Sequence, residues 1–175
     1  QQEIKQVRSA HLRDGVAMTR YMYWLKHVPE TAHVTEMEAA DHLETLRREQ
    51  KGYLEPSFET ISAYGKNAAM CHYISTRETD TEIQKEGFYL VDAGGQYRAG
   101  TTDITRTVVM GNLTEEQKLH YTLVLKGMID LAKARFHQGT NGQMLDYLAR
   151  GPLLEHGQDF NHGTGHGVGA LLNVH

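Results

Sequence analysis

The sequence predicts an α+β fold, helices packed on a largely antiparallel sheet, and three observations carry that prediction. Apolar residues recur at helical spacing near the start, short runs rich in β-branched and aromatic residues fill the middle, and helical spacing returns after residue 114. Residues 3–28 place Ile4, Val7, His11, Val16, Met18, Met22 and Leu25 near that spacing, with Gly15 as a weak point. The next segment, TEMEAADHLETLRREQKG, carries its own signals. Thr35 and Glu38 form a capping box, Met37, Ala40, Leu43 and Leu46 an apolar stripe, and Gly52 a stop. Four strand candidates follow: FETISAYG (58–65), CHYIS (71–75), GFYLVDAGG (87–95) and TTDITRTVVMG (101–111). Thr114, with Gln117 three residues on, opens a capped helix running to His137, and another covers residues 141–150. The glycine-rich HGTGHGVGALLNVH (162–175) closes the order, its apolar end reading as a strand.

A chain of 175 residues fits one domain with a sizeable core. Eighteen basic against 22 acidic residues give a net charge of −4, and no Lys/Arg block stands out. Nucleic acid and anionic membrane surfaces are therefore not expected as partners. Cys71 is the single cysteine, which excludes an internal disulfide and fits a reducing, cytoplasmic compartment. The polar start, QQEIKQVRSAHLRDG, does not read as a signal peptide, and no apolar run approaches membrane-spanning length. Both ends read as cut, so the chain is expected to be a fragment of a longer protein.

Asp92 ends an apolar strand candidate, and alternation puts Asp103 on one face with Thr101 and Thr105, opposite Ile104. If the two segments pair, both carboxylates can point into one cavity. The spacing equally suits a hairpin with one aspartate capping a turn and the other solvated. His162 and His166 lie among Gly163, Gly165, Gly167 and Gly169, which argues against a helix and for extended backbone that a ligand can approach. Carboxylates with an imidazole suit manganese, cobalt, iron or zinc. The alternative is a glycine-rich turn whose histidines bond to backbone. Cys71 and His72 are neighbours on a strand candidate and should face opposite ways, which excludes a catalytic dyad and makes Cys71 a small core residue. GGQYRAG lacks the strand-to-helix setting of a phosphate loop.

Taken together, VDAGGQYRAGTTDITRT (91–107) and HGTGHGVGALLNVH closely resemble the metallopeptidase family of Xaa-Pro aminopeptidase, prolidase and methionine aminopeptidase. AHLRDGVA (10–17), GKNAAMCHY (65–73) and LDYLARGPLLEHGQDFNHGTGHGVG (145–169) look most like the Xaa-Pro aminopeptidase branch. The resemblance implies a pita-bread (creatinase/aminopeptidase) fold truncated at the C-terminus, with residues 1–175 a partial catalytic domain. It also implies two divalent metal ions, manganese first with zinc or cobalt as substitutes, held by Asp, Asp, His, Glu and Glu. Asp92, the bridging Asp103 and His166 match the first three. The family's two glutamates lie beyond a segment like GALLNVH and are not in this chain, so the fragment itself is expected to bind metal weakly and to be inactive. His72 resembles a residue on the P1′ side of the substrate, His175 one that binds the substrate carbonyl, and His162 one near the proline subsite. The implied substrates are peptides with N-terminal Xaa-Pro, and family members commonly form homodimers. A prolidase cleaving Xaa-Pro dipeptides is the alternative enzyme. A non-catalytic binding protein or a metal-free creatinase on the same fold are the other rivals, and Asp92, Asp103 and His166 argue against both.

Overall fold

Ala10, Asp14, Ala17, Met18, Tyr21 and Leu25 recur on one stripe of helix α1 (Gln2–His27), and that stripe is buried. The computed structural model describes the backbone of residues 1–175 and every side chain except that of Glu30. It divides into two compact units, Gln1–Asn112 with Gly167–His175, and Leu113–His166.

In the first unit, helix α2 (Glu36–Arg48) starts on the expected capping box. The Thr35 hydroxyl accepts from the Glu38 amide, and the Glu38 carboxylate accepts from the Thr35 amide at 3.0 Å. Short strand β1 (Tyr53–Pro56) follows, then β2 (Ile61–Tyr64), β3 (Phe88–Ala93), β4 (Gly95–Tyr97), β5 (Gly100–Thr101) and β6 (Ile104–Val109). They form two three-stranded sheets, β2-β3-β6 and β1-β4-β5, antiparallel throughout. The core joins Met18, Tyr21 and Leu25 of α1 and Leu43 and Leu46 of α2 to Tyr89, Val91, Val108 and Met110. The expected α+β arrangement holds.

The two aspartate-bearing segments pair as anticipated, Asp92 opposite Thr105 and Ala93 opposite Ile104. Their connection is no simple turn, because β4 and β5 lie between them as a hairpin in the other sheet. Strands of two or three residues carry no readable period, so the sequence did not announce them.

Two strand expectations fail. Residues 71–75 form turn and irregular backbone, with His72 at φ 57, inside a loop that wraps a buried carboxylate. Glu36 is fully buried and accepts hydrogen bonds from the Tyr64 amide (2.6 Å), Asn67 Nδ2 (3.0 Å) and the Tyr73 hydroxyl (2.8 Å). Satisfying that charge bends the chain away from any ladder. Cys71 is consequently exposed, not in the core, and strand alternation does not separate it from His72. The GALLNVH segment is no strand either, since Leu171 at φ 53 interrupts extended backbone. It is tied down singly: the Leu171 amide donates to Thr101 Oγ1 (2.9 Å), Gln96 Nε2 to the Leu172 carbonyl (2.7 Å), and the Val174 amide to the Ser57 carbonyl (3.1 Å).

In the second unit α3 (Glu115–Lys133) has the anticipated Thr114–Gln117 capping box but stops at Lys133, before His137. Helix α4 (Gly142–Leu154) runs past residue 150 with Pro152 inside it. The two helices approach closely at Gly127, where a Cβ would sit 2.0 Å from the Ala149 carbonyl oxygen. Among the described residues, no helix is long and apolar enough to cross a membrane.

Candidate metal centre

Strand alternation aims Asp92. Tyr89, Val91 and Ala93 of β3 are buried against the helices, so Phe88, Leu90 and Asp92 take the opposite face. One oxygen of Asp92, Oδ2, lies 3.8 Å from His175 Nε2. The other, Oδ1, is buried and has no hydrogen-bond partner among the described residues. Asp103 directly precedes β6, and one of its carboxylate oxygens lies within 4.8 Å of a ring nitrogen of His175. The His175 side chain is only 18% exposed. Its ring packs 3.9 Å from the Phe58 ring centroid and stacks nearly parallel to His72 at 5.0 Å. The first unit therefore gathers Asp92, Asp103, His72 and His175.

Such a cluster suits a divalent cation. A buried carboxylate oxygen with no donor costs free energy unless a cation completes it. The donors at hand, two carboxylates and an imidazole, match manganese, cobalt or zinc rather than a soft ion. By this structure's own orphaned oxygen, the residues present fit the metal that the resemblance implies.

The loops beneath the two aspartates are anchored in the interior. Thr102 Oγ1 donates to Asp14 Oδ2 (2.8 Å) and accepts from the Gly95 amide (2.9 Å). Asp14 is itself held by Arg47 Nε (2.7 Å) and the Tyr97 hydroxyl (2.9 Å), with Asp14 and Arg47 essentially inaccessible. Asp14 and Arg47 read as ordinary helix residues, and no local signal marks them as partners. Phe58 lay inside a strand candidate, and nothing in its period announced a ring against His175.

In the second unit His162 is exposed, its Nδ1 2.8 Å from the Gly163 carbonyl oxygen and its ring stacked 4.6 Å from Phe160. Arg150 makes four hydrogen bonds here, three of them to the loop. It donates to Asp146 Oδ2 (2.6 Å), Asp159 Oδ1 (2.8 Å) and the carbonyls of Phe160 (2.6 Å) and His162 (2.7 Å), with its guanidinium 4.0 Å over the Phe160 ring. Hydrogen bonds from Thr164 and then Arg150 hold the Asp146 carboxyl below its usual range, and the bond from Arg150 does the same for Asp159. His166 is exposed and closes this unit, one peptide bond before Gly167.

Comparison with known proteins extends the picture. The model of metallopeptidase family M24 matches residues 5–175. The chain is 49% identical to a probable Xaa-Pro aminopeptidase P of Paracoccidioides brasiliensis (strain Pb03), an alignment covering 99% of this chain and 28% of that protein. Among solved structures, X-prolyl aminopeptidase from Caenorhabditis elegans, a cytosolic enzyme with a di-nuclear active site, superposes with a TM-score of 0.93 at 44% identity. That match covers 99% of this chain and 29% of the other. Xaa-Pro dipeptidase from Bacillus anthracis gives 0.84 at 28% identity, over 99% of this chain and 46% of the other. The chain thus spans under a third of the curated relative's length.

Proposed function

Because this chain belongs to metallopeptidase family M24, we propose that it is part of a metal-dependent Xaa-Pro aminopeptidase, which removes the first residue from peptides with proline in second position. Its α+β architecture is the pita-bread fold of that family. The observation that carries the reading is the orphaned, buried Oδ1 of Asp92 beside Asp103 and His175. Asp92, Asp103 and His166 would hold the metal, manganese first with zinc or cobalt as substitutes. Two divalent ions bound there would supply Lewis acidity to the scissile carbonyl and acidify water near neutral pH.

The chain's own residues do the positioning. His175, braced by Phe58, would donate to the substrate carbonyl as charge develops on it, and His72, stacked on His175, would line the leaving side. His162, on the loop pinned by Arg150, would face the substrate's proline ring. Proline lacks an amide hydrogen and fixes its own φ, so a site that reads ring shape rather than a backbone N–H suits it. We place the enzyme in the cytoplasm, acting on peptides, with no nucleic acid or membrane partner and as a homodimer.

The test is turnover by the intact protein that carries this chain, loaded with manganese. An Xaa-Pro tripeptide and an Xaa-Pro dipeptide serve as rival substrates. Tripeptide cleavage that disappears in Asp103→Ala supports the aminopeptidase. Cleavage of the dipeptide alone would make it a prolidase, and hydrolysis of neither would make it a binding protein.

A further inference from the structure

Ser57 has three backbone and side-chain polar groups, and each goes to a different segment of the first unit. Its amide donates to the Gly94 carbonyl at 3.1 Å. Its hydroxyl donates to the Thr102 carbonyl at 2.8 Å. Its carbonyl accepts from the Val174 amide at 3.1 Å. Gly94 lies two residues after Asp92, Thr102 immediately before Asp103, and Val174 immediately before His175. Phe58, the next residue, puts its ring against His175. Ser57 is 1% exposed, so none of these groups has water to fall back on.

The packing around it leaves no slack. A Cβ on Gly94 would come within 1.9 Å of the Thr102 carbonyl oxygen and 2.2 Å of Ser57 Oγ. Glycine at 94 is what lets the three strands of backbone meet, and the serine hydroxyl fills the contact with a directed bond. A branched or longer side chain at 57 would separate the segments, and an apolar one would leave the Thr102 carbonyl buried and unpaired.

We propose that Ser57 is the positioning residue of this centre, its amide, hydroxyl and carbonyl holding the three segments that carry Asp92, Asp103 and His175. This rests on the reading of those residues as one metal centre. Groups that orient ligands without touching the metal are worth about 10–100-fold in affinity. Ser57 would act in that way through backbone, by fixing where the ligand-bearing segments start.

Ser57→Ala in the full chain tests this, first without metal. Hydrogen exchange at the backbone amide of position 57 and at the Thr102 and Val174 amides should speed together by about tenfold, the weight of one buried hydrogen bond. Exchange in the β3–β6 ladder should not change. The His175 ring signals should lose the ring-current shift they owe to Phe58 and His72. Leu43→Ala, a core change that touches none of the hydrogen bonds of Ser57, is the control for simple destabilisation: it should leave the native His175 signals in place. If Ser57→Ala does not fold, Ser57→Cys, which keeps a weak donor at the same point, is read the same way. Unchanged His175 signals, or faster exchange at Thr102 alone, would overturn the proposal. A manganese titration of the intact protein that carries this chain then separates the two ideas. Wild-type binding with about tenfold or greater weakening in the variant supports both. Failure of the wild type to bind would sink the metal-centre reading, with the role of Ser57 still decided by the metal-free spectra. Equal binding by wild type and variant would overturn the positioning role.

Discussion

Asp92 shows what a buried carboxylate oxygen costs before any cation arrives. Its Oδ1 is buried without a donor, and an unsatisfied buried acceptor destabilises by about 1–3 kcal/mol. Asp92→Ala should therefore leave the metal-free chain as stable as wild type, or raise its Tm, while weakening manganese binding at least about tenfold. Thermal unfolding with and without manganese checks both halves, and a large drop in metal-free Tm would show that the carboxylate is structural. His72 and His175 behave differently in this scheme: in the intact enzyme, His72→Ala should lower turnover far more than metal content, which elemental analysis beside a peptide assay would reveal. At this scale the sequence offers candidates wherever a residue type is tied to chemistry. Two aspartates flanking a glycine-rich turn and histidines among glycines stand out in a single chain. Ser57 and Phe58 do not, because a serine that bonds backbone carbonyls is indistinguishable in one sequence from a serine in solvent. The residues that hold the site are set by tertiary contact, not by local pattern.

Two helices were legible at their starts because capping residues announce them. Thr35 with Glu38 and Thr114 with Gln117 each satisfy otherwise orphaned backbone donors, and both boxes form where the sequence puts them. Thr114→Ala should accordingly cost about 1 kcal/mol and fray the start of α3, seen as faster exchange in its first turn. Loops organised by a buried charge were not legible. CHYIS has strand composition, yet the Glu36 carboxylate, a helix away in sequence, collects Tyr64, Asn67 and Tyr73 and bends the segment. Glu36→Ala would leave those donors buried and unpaired, at a cost of about 3 kcal/mol or more. The loop from 65 to 81 should then become the first proteolytic site, and the His72–His175 stacking should disappear from the spectra. Retention of both would mean that the loop is held by something other than Glu36.

The core of the first unit is crossed by a chain of hydroxyls that ties four elements together. The Tyr21 and Tyr89 hydroxyls lie 2.6 Å apart, Tyr89 is 2.6 Å from Ser62 Oγ, and Ser62 donates to the Glu36 carbonyl at 2.6 Å. These bonds join α1, β3, β2 and α2 beneath the sheet face that carries Asp92. Burial pushes Tyr89 up to about 12, with its hydrogen bonds to Ser62 and Tyr21 drawing it only part of the way back, and burial raises Tyr21 as well. In the unfolded chain both phenols ionise near pH 10. Between about pH 10 and 12 the folded state thus keeps protons that the unfolded state releases, so stability falls with rising pH. Below about pH 10 both states are protonated at these groups and their contribution is complete. Denaturant unfolding should give a flat stability from neutral pH to about 10 and a steep decline toward 12. Tyr89→Phe removes one of the buried titrating phenols and two hydrogen bonds. It should be less stable at neutral pH by about 1–3 kcal/mol and should decline less steeply through the alkaline window. An equally steep decline in that variant would place the alkaline sensitivity in other groups and detach it from the hydroxyl chain.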